Sequence, residues 1–152
     1  MTVLVMFLLL SAVQGPPADC RADAPAVPKV RAVAEAIIAA DNARDIDRVL
    51  SLYTADAILM PPNGPPLQGR TAIRPNYEAL FAAFDPAIEG RIDEACASGN
   101  LAFVRGHNGG RLVNRGSAPA RALNDFYLML LRFDDGAWRI SHLIWHAGTA
   151  PQ

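Results

Sequence analysis

The sequence predicts an α+β fold in which three N-terminal helices pack on a curved antiparallel sheet. Two observations carry this. Apolar residues recur at helical spacing in three segments up to Phe84, and every second residue is apolar in most of the chain beyond it. Between the halves, Pro61, Pro62, Asn63, Gly64, Pro65 and Pro66 form a rigid loop, because missing amide donors and the fixed proline φ exclude both helix and central strand.

The first helix shows as Val30, Val33, Ala34, Ile37 and Ile38, a one-sided stripe that runs out near Asp41 and Asn42. Asp45 is a good N-cap for a short second helix that gathers Ile46, Val49, Leu50 and Tyr53 on one face. A brief apolar strand over residues 57–60 precedes the proline loop. The third helix follows Gly69 with Ile73, Tyr77, Leu80, Phe81 and Phe84 on one side, and Pro75 implies a late start or a kink. Strands are expected over residues 88–97, 101–108, 123–133 and 138–146. Gly99-Asn100 and Asp135-Gly136 supply two-residue hairpin turns with positive φ at both central positions, and residues 109–120 form a longer loop.

A chain of 152 residues has room for one domain of ordinary size. It is 51% hydrophobic and 19% charged, enough apolar material for a core. A formal net charge of −1 offers no footprint for nucleic acid or an anionic membrane, so a small molecule or a protein is the expected partner. No cofactor is expected. Residues 3–13 are apolar, too short to span a bilayer but long enough for the hydrophobic region of a signal peptide. No Lys or Arg precedes that run, and Ala18 and Ala22 are the best cleavage candidates. The expected organisation is a signal peptide over 1–22, a linker over 23–28 and a domain over 29–148. The mature protein is then secreted or periplasmic and has no stable membrane span. Asp19 before Cys20 disfavours a lipoprotein site. Cleavage after Ala22 leaves Cys96 alone, as a small buried hydrophobe.

Five segments occur in an order and spacing that resemble the nuclear transport factor 2-like superfamily, and its SnoaL-like branch in particular. They begin at Asn42, Leu52, Gly69, Gly99 and Asp135: Asn-Ala-Arg-Asp, Leu-Tyr-Thr-Ala-Asp-Ala, Gly-Arg-Thr-Ala-Ile, Gly-Asn-Leu-Ala and Asp-Gly-Ala-Trp-Arg-Ile. The resemblance implies a cone-shaped fold with an apolar pocket. Its members include ketosteroid isomerases, scytalone dehydratases and polyketide cyclases, and others that only bind ligands or dimerise. The positions that carry the isomerase reaction hold Ile37, Pro61 and Met129 here, so that constellation is missing.

The same resemblance places Phe103, Arg105, His107, Met129, His142, Ile144 and His146 toward the cavity, and alternation adds Tyr127 and Asp125. Independently, the Asp135-Gly136 hairpin pairs Asp134 with Ala137 and, carried along the strands, Asp125 with His146. Residues directly opposed are close enough for a carboxylate to hold an imidazole. Asp125, His146 and Tyr127 are therefore the candidate catalytic groups, and Arg105, His107, His142, Tyr77, Phe103 and Met129 the candidate ligand contacts. Arg105 has a plainer alternative as the ion-pair partner of Asp125 or Glu94. No metal is expected, since His142 and His146 would stand about 13 Å apart on one strand.

The strand from Asp125 to Phe133 is apolar on both faces. Phe126, Leu128 and Leu130, next to Leu143 and Trp145, form a patch that a second copy would cover, giving a homodimer through the sheet. The expected function is binding of a small apolar or cyclic organic molecule, with acid–base catalysis of isomerase, cyclase or dehydratase type. The rival is a non-catalytic dimerisation module with a vestigial pocket. The leader makes a first prediction: the intact mass of the exported protein corresponds to loss of residues through Ala18 to Ala24. Recovery of only full-length chain from the cytoplasm would refute export.

Overall fold

The computed structural model of the chain describes residues 25–148. The expected leader, with Cys20, and the first two residues of the expected linker lie outside them. Helix α1 (Val27–Ala43) starts two residues before the expected domain boundary, because Pro28 fits the first helical turn. It buries Val30, Ala34, Ile37, Ala40 and Asp41 and ends on Arg44, whose φ of 56° turns the chain sharply. Helix α2 (Ile46–Ser51) follows, with the Asp45 carboxylate accepting from the Arg48 amide at 3.0 Å. Helix α3 (Arg70–Ala83) contains Pro75 in its second turn, where the missing amide removes one hydrogen bond back to the first turn. It buries Ile73, Tyr77 and Phe81. Phe84, expected on that helix, instead begins a strand.

The strands are β1 (Tyr53–Met60), β2 (Leu67–Gln68), β3 (Phe84–Ser98), β4 (Leu101–Asn114), β5 (Arg121–Ala122), β6 (Asp125–Asp134) and β7 (Ala137–Ala147). They run in the order β2-β1-β7-β6-β4-β3, with β5 pairing β4. Every pairing is antiparallel except β1 with β7. β3 and β4 are longer than the sequence pattern suggests, and β4 absorbs the first half of the expected loop. Both hairpins form, with Ser98 opposite Leu101 and Asp134 opposite Ala137. Asp135 and Gly136 both have positive φ, as a type I′ turn requires. In the other hairpin only Gly99 does, so Asn100 departs from the expectation.

The three helices cover one face of the sheet, and the core lies between them, centred on Tyr53, Leu59, Ile37, Ile73, Leu131 and Ile140. Gly106 is needed in this layer. A Cβ there would stand 2.6 Å from the Tyr127 hydroxyl, so only glycine lets the Tyr127 ring lie across the neighbouring strand. Asn42 ties α1 to the sheet. Its amide nitrogen donates to Ile88 O at 2.9 Å while its amide oxygen accepts from Ile88 N at 2.8 Å.

Two register features decide which side chains face the helices. β4 pairs with β6 so that Val104 opposes Met129, Gly106 opposes Tyr127 and Asn108 opposes Asp125. The inward residues of β4 are therefore the even-numbered ones, and Phe103, Arg105 and His107 face outward opposite Leu130, Leu128 and Phe126. In β7 the pairing starts as expected, Asp134 with Ala137 and Leu131 with Ile140, and then shifts by one residue. Ile140 and Ser141 are both buried, and the Ser141 hydroxyl donates to Leu130 O at 3.1 Å. This bulge gives β7 one extra residue. Beyond it Leu130 opposes His142, Tyr127 opposes Trp145 and Phe126 opposes His146. Leu143 and Trp145 thus turn toward the helices, and His142, Ile144 and His146 turn away.

Candidate functional site

A cavity of about 410 Å³ opens between the helices and the inner face of the sheet. Its helix wall is Ile37, Ile38 and Asp41 of α1 with Tyr77 and Leu80 of α3. The sheet wall is Ile88, Asn108, Asp125, Tyr127, Met129, Leu143 and Trp145. The partly exposed Pro61, Pro62 and Leu123 and the exposed Arg121 also line it. The prolines stiffen their edge of the opening by fixing φ at successive positions.

Of the nine candidate residues, Tyr77, Asp125, Tyr127 and Met129 line this cavity. The other five do not. Phe103, Arg105 and His107 lie on the outer face because of the β4 register, and His142 and His146 because of the bulge at Ser141. Arg105 forms the plainer of its two expected contacts, an ion pair with Glu94 at 2.6 Å. His107 Nδ1 lies 3.2 Å from Asp93 Oδ2. His146 stacks on Phe126 with ring centroids 5.5 Å apart, and its Nδ1 lies 3.3 Å from Ala147 O. The Asp125–His146 dyad is thereby overturned, since Asp125 opposes Ala147 rather than His146. Leu143 and Trp145, expected in the outer patch, are cavity wall instead. Cys96 is half-buried on β3, less enclosed than the small buried hydrophobe expected. Among the described residues no cluster of three His, Cys, Asp or Glu is placed to hold a metal ion.

The cavity brings forward two residues that the sequence pattern did not single out. Asp41 is buried and its Oδ1 has no hydrogen-bond partner among the described residues. Burial strips water from the carboxylate and pushes its pKa from 3.8 up to about 8, so the neutral acid predominates at pH 7. Asn108 Oδ1 is likewise buried and unpartnered among the described residues. The sequence holds a signal for Asp41: it stands four residues after Ile37 and three after Ile38, continuing the apolar stripe of α1 with a carboxyl group.

Asp41 has two phenols for company. The Tyr53 and Tyr77 hydroxyls are 2.9 Å apart, and burial raises both pKa values. On the sheet wall, burial raises the pKa of Asp125, while Arg121 and then His146 oppose the shift through their charges. Tyr127 donates its hydroxyl to Arg91 O at 3.3 Å, and burial pushes its pKa up to about 12. The arrangement therefore holds two carboxyl groups in unlike surroundings. Burial raises both carboxyls; at Asp41 nothing offsets it and the proton is kept, whereas at Asp125 the charges of Arg121 and His146 hold back part of the rise. Such a division is how a site keeps an acid and a base at one pH.

Residues 34–141 match the family model of the SnoaL-like domain. The chain belongs to that family. Among solved structures, the SnoaL-like chain is similar to a ketosteroid isomerase-like protein from Erwinia carotovora atroseptica. The TM-score is 0.77 at 26% identity, over 83% of this chain and 98% of that one. It is also similar to an NTF2-like protein of unknown function from Pseudomonas putida, with a TM-score of 0.69 at 18% identity over 84% of this chain and 89% of that one. No curated protein sequence matches it. The expected superfamily and its α+β architecture are thus established, with a mixed rather than wholly antiparallel sheet.

The buried carboxyl has a measurable consequence. Between about pH 4 and 8 the folded SnoaL-like domain retains a proton on Asp41 that the unfolded chain has released. The contribution of this group to stability is full below its unfolded pKa of 3.8 and is lost as pH rises to about 8. Asp41→Asn, which cannot ionise, should flatten that slope. Urea unfolding at pH 5 and pH 8 should show the variant gaining on wild type by about 2 kcal/mol or more at the higher pH. An equal difference at both pH values would show that Asp41 titrates normally.

Proposed function

We propose that this SnoaL-like domain binds a small, largely apolar organic molecule in the cavity and transfers protons on it, with Asp41 as acid and Asp125 as base. One observation carries this: the cavity is walled by aliphatic and aromatic side chains around two carboxyl groups, of which Asp41 has nothing to offset its burial while Asp125 has the opposing charges of Arg121 and His146. Tyr127, beside Asp125 on β6, adds its ring to the cavity wall, with its hydroxyl donated to Arg91 O. The similarity to a ketosteroid isomerase-like protein supports a cyclic substrate and acid–base chemistry. This division of roles differs from the one expected from sequence, where a histidine was to be the base.

A test uses 2-tetralone, a neutral bicyclic ketone with an exchangeable carbon-bound proton. In deuterated buffer the wild-type protein should accelerate exchange at that carbon, and Asp125→Asn should lower the enhancement by about 100-fold or more. Binding is followed separately through the fluorescence of Trp145, which lines the cavity. If 2-tetralone perturbs Trp145 but exchanges no faster than in buffer, the domain binds without proton transfer. If neither signal changes, the vestigial-pocket alternative gains.

We further propose that two copies associate through the outer face of the sheet. Phe126, Leu128, Leu130 and Ile144 are 45%, 39%, 42% and 43% exposed and stand on adjacent strands on the face opposite the helices. A contiguous patch of this kind is unusual on a monomer. The salt-bridged Arg105 and Glu94 lie at its margin on β4 and β3, in the position of a polar rim. Leu128→Asp should shift sedimentation from dimer to monomer while leaving the cavity unaltered, because a buried unpaired charge opposes the contact. A wild-type chain that sediments as a monomer at high concentration would refute the pairing.

A further inference from the structure

The unpartnered oxygens of Asp41 and Asn108 carry more than a general polarity, because other polar groups around them are already engaged. The Tyr77 hydroxyl is shared with Tyr53 at 2.9 Å. The Tyr127 hydroxyl is directed to Arg91 O. The Asn42 amide is held at both ends by Ile88. Native structures leave few buried polar atoms without a partner. Two lining one cavity point to a group that arrives with the ligand.

Their positions narrow what that group is. A point one bond out from Gly90 Cα lies 2.9 Å from Ile38 Cγ1 and 3.5 Å from Asn108 Oδ1, so Asn108 reaches the place where α1 passes over β3 at Ile38. Asp41 follows Ile38 by three residues, about one helical turn along α1. The two oxygens therefore serve the same end of the cavity. They differ in chemistry. The neutral Asp41 carboxyl brings a hydrogen to donate, whereas Asn108 Oδ1 can only accept. A ketone or ether would leave Asn108 Oδ1 unpaired, and an anion would meet the Asn108 dipole unfavourably. A hydroxyl satisfies both.

We infer that this end of the cavity is a hydroxyl-recognition site, in which a neutral alcohol or phenol accepts a hydrogen bond from the Asp41 carboxyl and donates one to Asn108 Oδ1. The inference rests on the cavity being a ligand site, and it adds the class of ligand. It also assigns Asn108 a specificity role, since the residue selects by accepting and takes no part in proton transfer. Phenolic bicycles fit the apolar walls formed by Ile37, Leu80, Met129 and Trp145.

The test compares 2-naphthol with 2-methylnaphthalene, equal in shape but with a methyl group in place of the hydroxyl, at pH 6.5 where naphthol is neutral. Wild-type protein should bind 2-naphthol about 10-fold more tightly, the effect of one net neutral hydrogen bond and relief of an unpaired acceptor. Asn108→Leu and Asp41→Leu, each close in volume to the native side chain, should abolish or reverse the preference. Equal binding of the two probes by wild type, or tighter binding of 2-methylnaphthalene, would overturn the hydroxyl site while leaving the cavity as a ligand site. Failure of both probes to bind would overturn the cavity reading and the hydroxyl site with it. A preference that survives in both leucine variants would overturn the assignment to these residues. The wild-type comparison decides the ligand class even where a variant fails to fold.

Discussion

The hydrogen bond from the Ser141 hydroxyl to Leu130 O fills the gap that an extra residue opens in the β6–β7 ladder, and the composition of the cavity depends on it. In a strand the side-chain period is two, so one inserted residue exchanges the faces of everything beyond it. Here the exchange gives the cavity Leu143 and Trp145 and gives the outer face His142 and His146. With a regular β7 the site would hold two imidazoles and lose two large apolar walls. A serine at that point meets two needs at once: it is small enough to be buried beside Ile140, and it offers a donor to a carbonyl at the point where the ladder is interrupted.

The cavity then sets a conflict inside α1. Ile37 and Ile38 favour burial of that face, and burial of that face takes Asp41 with it. The carboxyl accepts its proton rather than retain an unpaired charge, which is the usual response of an acid denied both water and a cation. A leucine at this position would pack with less cost. Retention of the acid, next to a phenol pair that is itself buried, is the pattern expected where stability is traded against a binding or catalytic task.

Much of the fold is legible in the sequence because helical stripes and hairpin turns are local. Val30 to Ile38, Ile73 to Phe81, Gly99 and Asp135-Gly136 each declare their structure within a few residues. The site is legible at Tyr77, which the helical stripe of α3 turns inward, and at Asp125, Tyr127 and Met129 on β6, where strand phase needs no further information. The phases of β4 and β7 depend on how each strand is offset against β6, and the offset of β7 turns on whether Ser141 bulges, a choice made by three-dimensional packing. Nothing in the alternation of residues 137–147 distinguishes the two outcomes, as Leu143 and Ile144 are equally apolar. Asp41 is obscure for the opposite reason: aspartate near a helix end is so ordinary that its place on the buried stripe draws no attention to it.

The clamp between Asn42 and Ile88 has an effect outside the cavity. Among the described residues β3 is the last strand of the sheet, and a sheet edge offers the kind of amides and carbonyls that recruit strands from other molecules. At Ile88 both groups are taken by one side chain that imitates a neighbouring backbone. A foreign strand cannot zip along β3 past that point without first displacing the end of α1. One asparagine thus gives the molecule a guard against sheet-to-sheet polymerisation, and it keeps open the choice of association through the sheet face alone.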